Sequence, residues 1–276
     1  TTVLIETSKG KYILRSYDNR TVKHVLFEVH LLNYLKNNCF PVPGIIKTSK
    51  GGYYGTYKDK PFIVIEYIEG EHLKNPNEYF DKAQVSNVIE IIAQLHNLTS
   101  DYIHENFNDR EVFNAGYAWR EYQKKQRKVH REERAKWFKD ELGKIELPES
   151  MPKSICHADL NYGNFLIRNG EIAAVLDFDM SFYTYTIYDI ASLIYWWAFP
   201  PEMGFKERRA SYIVNEYINH RALSETEKIH IYDSLKLTIL LGISWSEECD
   251  FEYGKKAADY LNKLGRDGFY TKLFPH

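Results

Sequence analysis

The sequence predicts an α+β fold of two lobes: a small antiparallel sheet carrying one helix, then a larger and mostly helical part. Three observations predict it. Strand-type alternation brackets a single helical stretch within the first 68 residues. From Gln84 onward the apolar period is that of helices. The helical part is interrupted by a polar loop and a hairpin between Ile155 and Asp179, where acids and amides sit beside short apolar runs.

Taken in order, Thr1 to Thr7 alternates and is rich in Thr, Val and Ile. Ser8-Lys9-Gly10-Lys11 reads as a turn, and Lys11 to Tyr17 as a second strand. Val25, Leu26, Val29, Leu32 and Leu35 have helical spacing, so Val22 to Lys36 is a helix, broken by Pro41 and Pro43. Gly51-Gly52 separates two further strand-like pieces, the second ending in Pro61-Phe62-Ile63-Val64-Ile65. A boundary near Tyr67 to Gly70 divides the chain into residues 1–68 and 69–276. Arg120 to Glu141 is crowded with Lys, Arg and Glu of both signs, including Glu132, Glu133, Asp140 and Glu141. That pattern predicts a solvated helix laced with ion pairs four residues apart.

Bulk properties exclude several function classes. The chain has 276 residues, 44% hydrophobic and 27% charged, enough for a sizeable core. A formal net charge of −2 gives no electrostatic case for nucleic acid or an anionic membrane. Cys39, Cys156 and Cys249 are scattered, have no metal-type spacing and suggest a reducing, cytoplasmic setting. No apolar run reaches the length of a membrane span, and the first residues already read as strand rather than as a targeting segment.

The most informative stretch is His157-Ala158-Asp159-Leu160-Asn161-Tyr162-Gly163-Asn164, followed by Val175-Leu176-Asp177-Phe178-Asp179. Arg168-Asn169-Gly170-Glu171 between them is a hairpin turn of the Asn-Gly kind. Asp159, Asn164 and Asp177 would therefore lie near one edge of a ribbon. Phosphoryl transfer needs these chemical types: a carboxylate to take a hydroxyl proton, and an amide plus a second carboxylate to hold magnesium on the phosphates. A lone loop aspartate reads as a turn cap. It is the order His-x-Asp, Asn, Asp that carries the functional reading.

On these residues the chain resembles the aminoglycoside phosphotransferase and choline kinase family, the small-molecule branch of the protein-kinase-like fold. The resemblance covers most of the chain. It implies Asp159 as catalytic base, Asn164 and Asp177 as Mg2+ ligands, and ATP or GTP as phosphoryl donor. Asp179 would be an assisting acid or a solvated one. Arg15 would grip the nucleotide phosphates and be oriented by Glu28 on the following helix. Phe62 to Gly70 would form the hinge, with the Glu66 carbonyl and the Ile68 N–H bonding the base. His157, His96 and Asp189 would be structural, with Asp189 bracing the catalytic loop. The family's phosphate-covering loop lies between its first two strands. Thr1 to Thr7 corresponds to the second, so that loop is expected before Thr1.

The acceptor is expected to be a small molecule such as an amino alcohol, an aminoglycoside or a homoserine-like metabolite. Ala158 stands where protein kinases carry an arginine, and only 12 positions separate Asp177 from Asp189, which disfavours a peptide substrate. A protein kinase, or a catalytically silent pseudokinase that only binds nucleotide, are the rival readings. Trp245, Glu248 and Asp250, with Trp196-Trp197 nearby, combine acids and aromatics in a way that suits a cationic amine. Tryptophans in an apolar helix, as Trp196 and Trp197 are, more often belong to a core than to a cation cage.

Overall fold

The computed structural model describes residues 1–102, 112–126, 132–199, 204–246 and 248–275, with the backbone alone at 248–250. Its first part is a four-stranded antiparallel sheet of order β1-β2-β4-β3: β1 (Thr2–Thr7), β2 (Gly10–Ser16), β3 (Gly55–Tyr57) and β4 (Lys60–Glu66). Helix α1 (Val22–Asn37) follows β2, started by the Thr21 hydroxyl accepting from the His24 N–H.

α1 is buried on two faces. Val25 and Val29 pack with Tyr17 and Ile63 in a small cluster under the sheet. Phe27, Leu31 and Leu35 join the main core, which continues through the helical part. A helix that is apolar on both sides is buried between layers, and α1 thereby ties the sheet to the rest of the molecule.

One sheet expectation needs correction. The β3–β4 hairpin turns at Lys58-Asp59, both with positive φ, and not at Gly51-Gly52. A two-residue hairpin turn that follows strand twist needs left-handed backbone at both positions, which Asp tolerates. The piece before Gly51 is reduced to a single bridge, Ile45 to Ile65, on the same side of β4 as β3.

After the hinge come β5 (Glu71–His72) and α2 (Lys82–Thr99), capped by Asp81 accepting from Ala83 and Gln84. Then follow α3 (Ala115–Gln126) and α4 (Glu132–Leu142). Here too the expectation is only partly met. Lys124 and Glu121 form an exposed helical pair, but α4 buries Phe138, Leu142 and also Glu141, which meets buried Lys236 at 2.6 Å. Side chains at 127–131 lie outside the described residues.

β6 (Lys153–Cys156) leads into the polar loop, and β7 (Phe165–Arg168) and β8 (Glu171–Val175) form the expected hairpin, with Asn169 and Gly170 at positive φ. β6 does not pair with that hairpin. It pairs with β9 (Phe182–Tyr185), a strand hidden in the sequence by its shortness, while β5 adds to β7. The remainder is helical: α5 (Ile187–Ala198), α6 (Glu207–His220), α7 (Glu225–Trp245) and α8 (Glu248–Leu273), the last kinked at Gly265. α5 and α7 pack together at the centre of the core. Among the described residues no helix is long and apolar enough to cross a membrane.

Candidate active site

The loop between β6 and β7 is held from below by Asp189, fully buried in the first turn of α5. Its Oδ2 accepts from the His157 N–H at 2.7 Å and its Oδ1 from the Ala158 N–H at 2.9 Å. His96 reaches the same carboxylate at 3.1 Å and the Tyr217 hydroxyl at 2.7 Å. These bonds hold Ala158 at φ 68°, a left-handed conformation that L residues seldom adopt, so the loop's shape is imposed by its supports. The His157 ring is buried too. Its Nδ1 accepts from the Asp159 N–H at 3.3 Å, which leaves the ring proton on Nε2 to donate to the Leu176 carbonyl at 2.8 Å. The expected structural parts of His157, His96 and Asp189 are thus what their hydrogen bonds perform.

Asp159 emerges from this loop with Asn164 against it. The Asn164 Nδ2 donates to the Asp159 carbonyl at 2.8 Å and to its Oδ2 at 3.1 Å. An amide that spends its N–H groups this way turns its Oδ1 outward as an acceptor. Asp177 sits at the end of β8, in left-handed backbone at φ 64°, and its neighbour Leu176 donates from its N–H to the Asn164 carbonyl at 2.8 Å. Asn164 and Asp177 therefore lie side by side on a cleft of about 350 Å³ between the sheet and the hairpin. Two oxygen donors are the ligand chemistry that magnesium prefers.

Four other expected residues line that same cleft: Arg15, Glu28, Glu66 and Ile68. Arg15 on β2 is partly buried and donates from Nη2 to Asp177, while its Nη1 lies 3.8 Å from Glu28 Oε1. The expected Arg15–Glu28 pair is present, but Asp177 is the nearer partner. Glu28 is buried and also accepts from the Tyr17 hydroxyl at 2.7 Å. Burial raises the Glu28 carboxyl above its ordinary range, against the opposing pull of Arg15 and Tyr17. Burial works against the Arg15 charge as well, but Glu28 and then Asp177 outweigh it and raise its pKa further.

At the hinge, the Glu66 N–H donates to the Gly44 carbonyl at 2.9 Å, and the Glu66 side chain accepts from the Gly44 N–H at 2.8 Å and from Lys36 at 2.9 Å. Ile68 lies beyond the end of β4, and its N–H donates to no other described residue. Gly70 passes so close to β7 that a Cβ there would meet the Ile167 carbonyl at 3.0 Å.

Asp159 opens onto a second cavity, of about 500 Å³, between α5 and α7. Tyr188, Ser192, Tyr195 and Trp196 face it from α5. Thr238, Gly242, Ile243 and Trp245 line it from α7, and Ser246 from just beyond that helix. The α5 set has the spacing i, i+4, i+7, i+8, which is one face of a helix. Trp245, expected at the acceptor, lines this cavity together with Asp159. Its indole N–H is turned away to the Tyr117 hydroxyl at 3.2 Å, so the ring is what the cavity meets. The side chains of Glu248 and Asp250 lie outside the described residues.

The two neighbouring tryptophans divide their work. Trp197 is core, donating to the Leu160 carbonyl at 2.9 Å, whereas Trp196 is 37% exposed and lines the cavity. Sequence reasoning missed Tyr188, Tyr195 and Tyr253 on this wall. Tyr188 is buried on this wall. Burial first, then nearby Asp189, Cys156 and Asp159, raise its pKa, so it stays a proton donor. The pairing of Tyr188 with Ser192 at i, i+4 was the available signal.

Also unforeseen was Arg20, just ahead of α1. It takes Asp179 in a two-point grip, Nε to Oδ1 at 2.9 Å and Nη2 to Oδ2 at 3.1 Å. Nothing in the sequence signalled that an arginine would hold Asp179.

Comparison with known proteins bears on this geometry. The chain is 28% identical to a homoserine kinase of Caulobacter vibrioides over 82% of its own length and 71% of that protein's. It is 25% identical to a homoserine kinase of Nitrobacter winogradskyi, over 82% and 68%. Among solved structures it superposes on the amicoumacin kinase hAmiN in complex with AMP-PNP, Ca2+ and Ami, with a TM-score of 0.68 at 17% identity, covering 99% of this chain and 90% of that one. The microcompartment-associated aminopropanol kinase gives 0.65 at 17% identity, over 98% and 87%. Both show the shared fold. The family model described as "Phosphotransferase enzyme family" matches residues 1–222, a span that takes in the sheet, the hairpin, α5 and α6, and the chain accordingly belongs to that family.

Proposed function

We propose that the protein transfers the γ-phosphoryl of ATP or GTP to a hydroxyl of a small, amine-bearing metabolite, with Asp159 as the group that takes the hydroxyl proton. One observation carries this reading. Asp159 and Asn164 are hydrogen-bonded to each other at the junction of two cavities, one lined by Arg15, Asn164 and Asp177 and the other by aromatic side chains. A phosphoryl donor and an acceptor bound on either side would meet at that junction, and positioning is the larger part of this catalysis.

The nucleotide would lie in the first cleft, its base against the hinge with the Ile68 N–H and the Glu66 carbonyl as partners. Asn164 Oδ1 and Asp177 fit magnesium, which would neutralise charge on the transferred phosphoryl oxygens. For this, Arg15 would exchange its bond to Asp177 for the nucleotide phosphates, and buried Glu28 would keep the guanidinium aimed. Residues 1–68 and 69–276 would be the two lobes that close on the nucleotide. A reducing, cytoplasmic setting fits a nucleotide-dependent enzyme whose described cysteines, Cys39 and Cys156, are free thiols.

The acceptor class is supported by the second cavity. Trp245, Trp196 and three tyrosines surround it, and Asp159 is the carboxylate among its described lining. Aromatic faces and one acid attract a compact cation. Homoserine, amino alcohols and aminoglycosides all carry an amine beside a hydroxyl. Magnesium-dependent ATP and GTP consumption, measured with a panel of these acceptors, neutral sugars and a peptide pool, tests the reading. Turnover confined to the peptide pool, or no turnover with intact magnesium–nucleotide binding, would replace it with a protein kinase or a pseudokinase.

A further inference from the structure

Resting on that reading, we infer that Arg20 is a positioning residue for phosphoryl transfer, acting through Asp179 on the turn that separates the two cavities. Residues 178–180 form a single 3₁₀ turn. Asp177, at its start, lines the nucleotide cleft, and Met180, at its end, lines the acceptor cavity. Asp179 stands between them, and Arg20 grips both its oxygens while also reaching the Met180 sulfur at 3.2 Å. A fork of two parallel N–H bonds sets orientation as well as distance, which a point charge does not.

The position of Arg20 in the chain gives the grip its meaning. It belongs to the short link between β2, which carries Arg15, and α1, which carries Glu28. One cation from the sheet side therefore reaches across to the turn that carries Asp177. A second bond of the same direction runs from Arg15 to Asp177, and Arg15 comes within 4.0 Å of Asp179 as well. When Arg15 turns to the nucleotide, Arg20–Asp179 stays as a charged link between the β2–α1 segment and this turn. The backbone bond from Val175 to the Pro41 carbonyl at 2.7 Å and the edge-on contact of Phe40 with Phe178 hold the turn's body, but neither reaches its far end.

This arrangement separates a positioning role from a merely structural one. The pair is partly exposed, at 32% for Arg20 and 23% for Asp179. Such pairs add little to stability. A small misalignment of the reacting groups costs far more in rate, about 10²-fold for a displacement near 1 Å.

The test uses the full chain and three readouts: acceptor-dependent turnover of magnesium–ATP with homoserine, ethanolamine and 1-amino-2-propanol, the Kd for magnesium–AMP-PNP, and Tm. Arg20→Gln is expected to lower kcat by about 10²-fold, with Kd changed by no more than about threefold and Tm by no more than about 4 °C. Arg20→Lys, which keeps the charge and loses the fork, should fall between Arg20→Gln and wild type. The exchange Arg20→Asp with Asp179→Arg should turn over at least about tenfold faster than either single change. Wild-type kcat in Arg20→Gln overturns the proposal alone. A rate loss matched by falls in Tm and nucleotide affinity, with no recovery in the exchange, assigns Arg20 to structure and also overturns it. Absence of turnover in the wild type, with nucleotide still bound, overturns the functional reading and this inference together.

Discussion

The two cavities on either side of the Asn164–Asp159 hydrogen bond are built on opposite principles. The first cleft presents charges already matched within the protein, Arg15 with Asp177 and Glu28, and the Arg20–Asp179 pair stands next to Asp177 in the chain. The second cavity is walled by aromatic and small residues of α5 and α7, Tyr188 among them. Charged groups taken from water must be paired or they oppose folding, so the charges of the first cleft stabilise one another. Aromatic walls need no partner to be stable, so the second can be reshaped without disturbing the first. Under the proposed function, the difference would put recognition of a common donor on the charged side and of a variable acceptor on the apolar one.

Changing the residue at the junction breaks that comparison most severely. Asp159→Asn should lower kcat by about 10²–10⁴-fold, the usual contribution of a proton-transfer group. Magnesium–AMP-PNP binding by calorimetry should persist, because Asp159 opens onto the other cavity. If turnover survives, the junction is not where transfer occurs.

Asp177→Ala strikes the charged side alone. Nucleotide affinity should lose its dependence on magnesium, since a carboxylate that fits the metal is gone. Calorimetry with and without the metal reads it, and an equal magnesium effect in both proteins would remove Asp177 from the ligand set.

Arg15 and Glu28 test whether that side works as a matched unit. Arg15→Ala should weaken nucleotide binding more than Glu28→Ala. A double-mutant cycle should return a coupling of about 0.5–3 kcal/mol. Strict additivity would mean that the 3.8 Å approach carries no shared work.

Trp245→Leu sharpens the other half. It should weaken a cationic acceptor by about 0.5–2 kcal/mol, the worth of a cation over an aromatic face, and leave nucleotide affinity alone. Thermal shift with amine and neutral acceptors, nucleotide present, checks it. An equal loss for both acceptor types would make Trp245 a space-filling wall. Glu248→Gln belongs in the same series as a probe of the acid expected there.

The smallest effect concerns the hinge. Lys36, then the Gly44 N–H, holds the Glu66 carboxyl below its ordinary pKa. A lowered carboxyl contributes stability above its unfolded pKa and loses it as pH falls through the folded one. Glu66→Gln should therefore reduce stability at neutral pH by less than about 1 kcal/mol, given its exposure, and flatten the acid limb of a denaturation profile. A steeper acid limb would contradict the assignment.

Sequence alone determined the chemical types and their order along the chain. Asp159, Asn164 and Asp177 were legible as neighbours because an acid, an amide and a second acid stand at short spacings along one loop and hairpin, and Asn169-Gly170 announces that hairpin. Arg15, Glu28, Glu66 and Ile68 followed from the resemblance, and the fold brings all four to one cleft. Strand β9 and the Lys58-Asp59 turn were not legible, because four residues carry little periodicity and left-handed backbone at Lys or Asp leaves no composition signal. Arg20 and the Tyr188–Ser192 stripe were hidden for a different reason. Arg20 meets Asp179 across 159 residues of chain, and α5 meets α7 only once the core has formed. Only tertiary structure decided which lone arginine grips which acid and which two helix faces enclose a cavity, because those choices rest on packing between distant segments, about which local spacing says nothing.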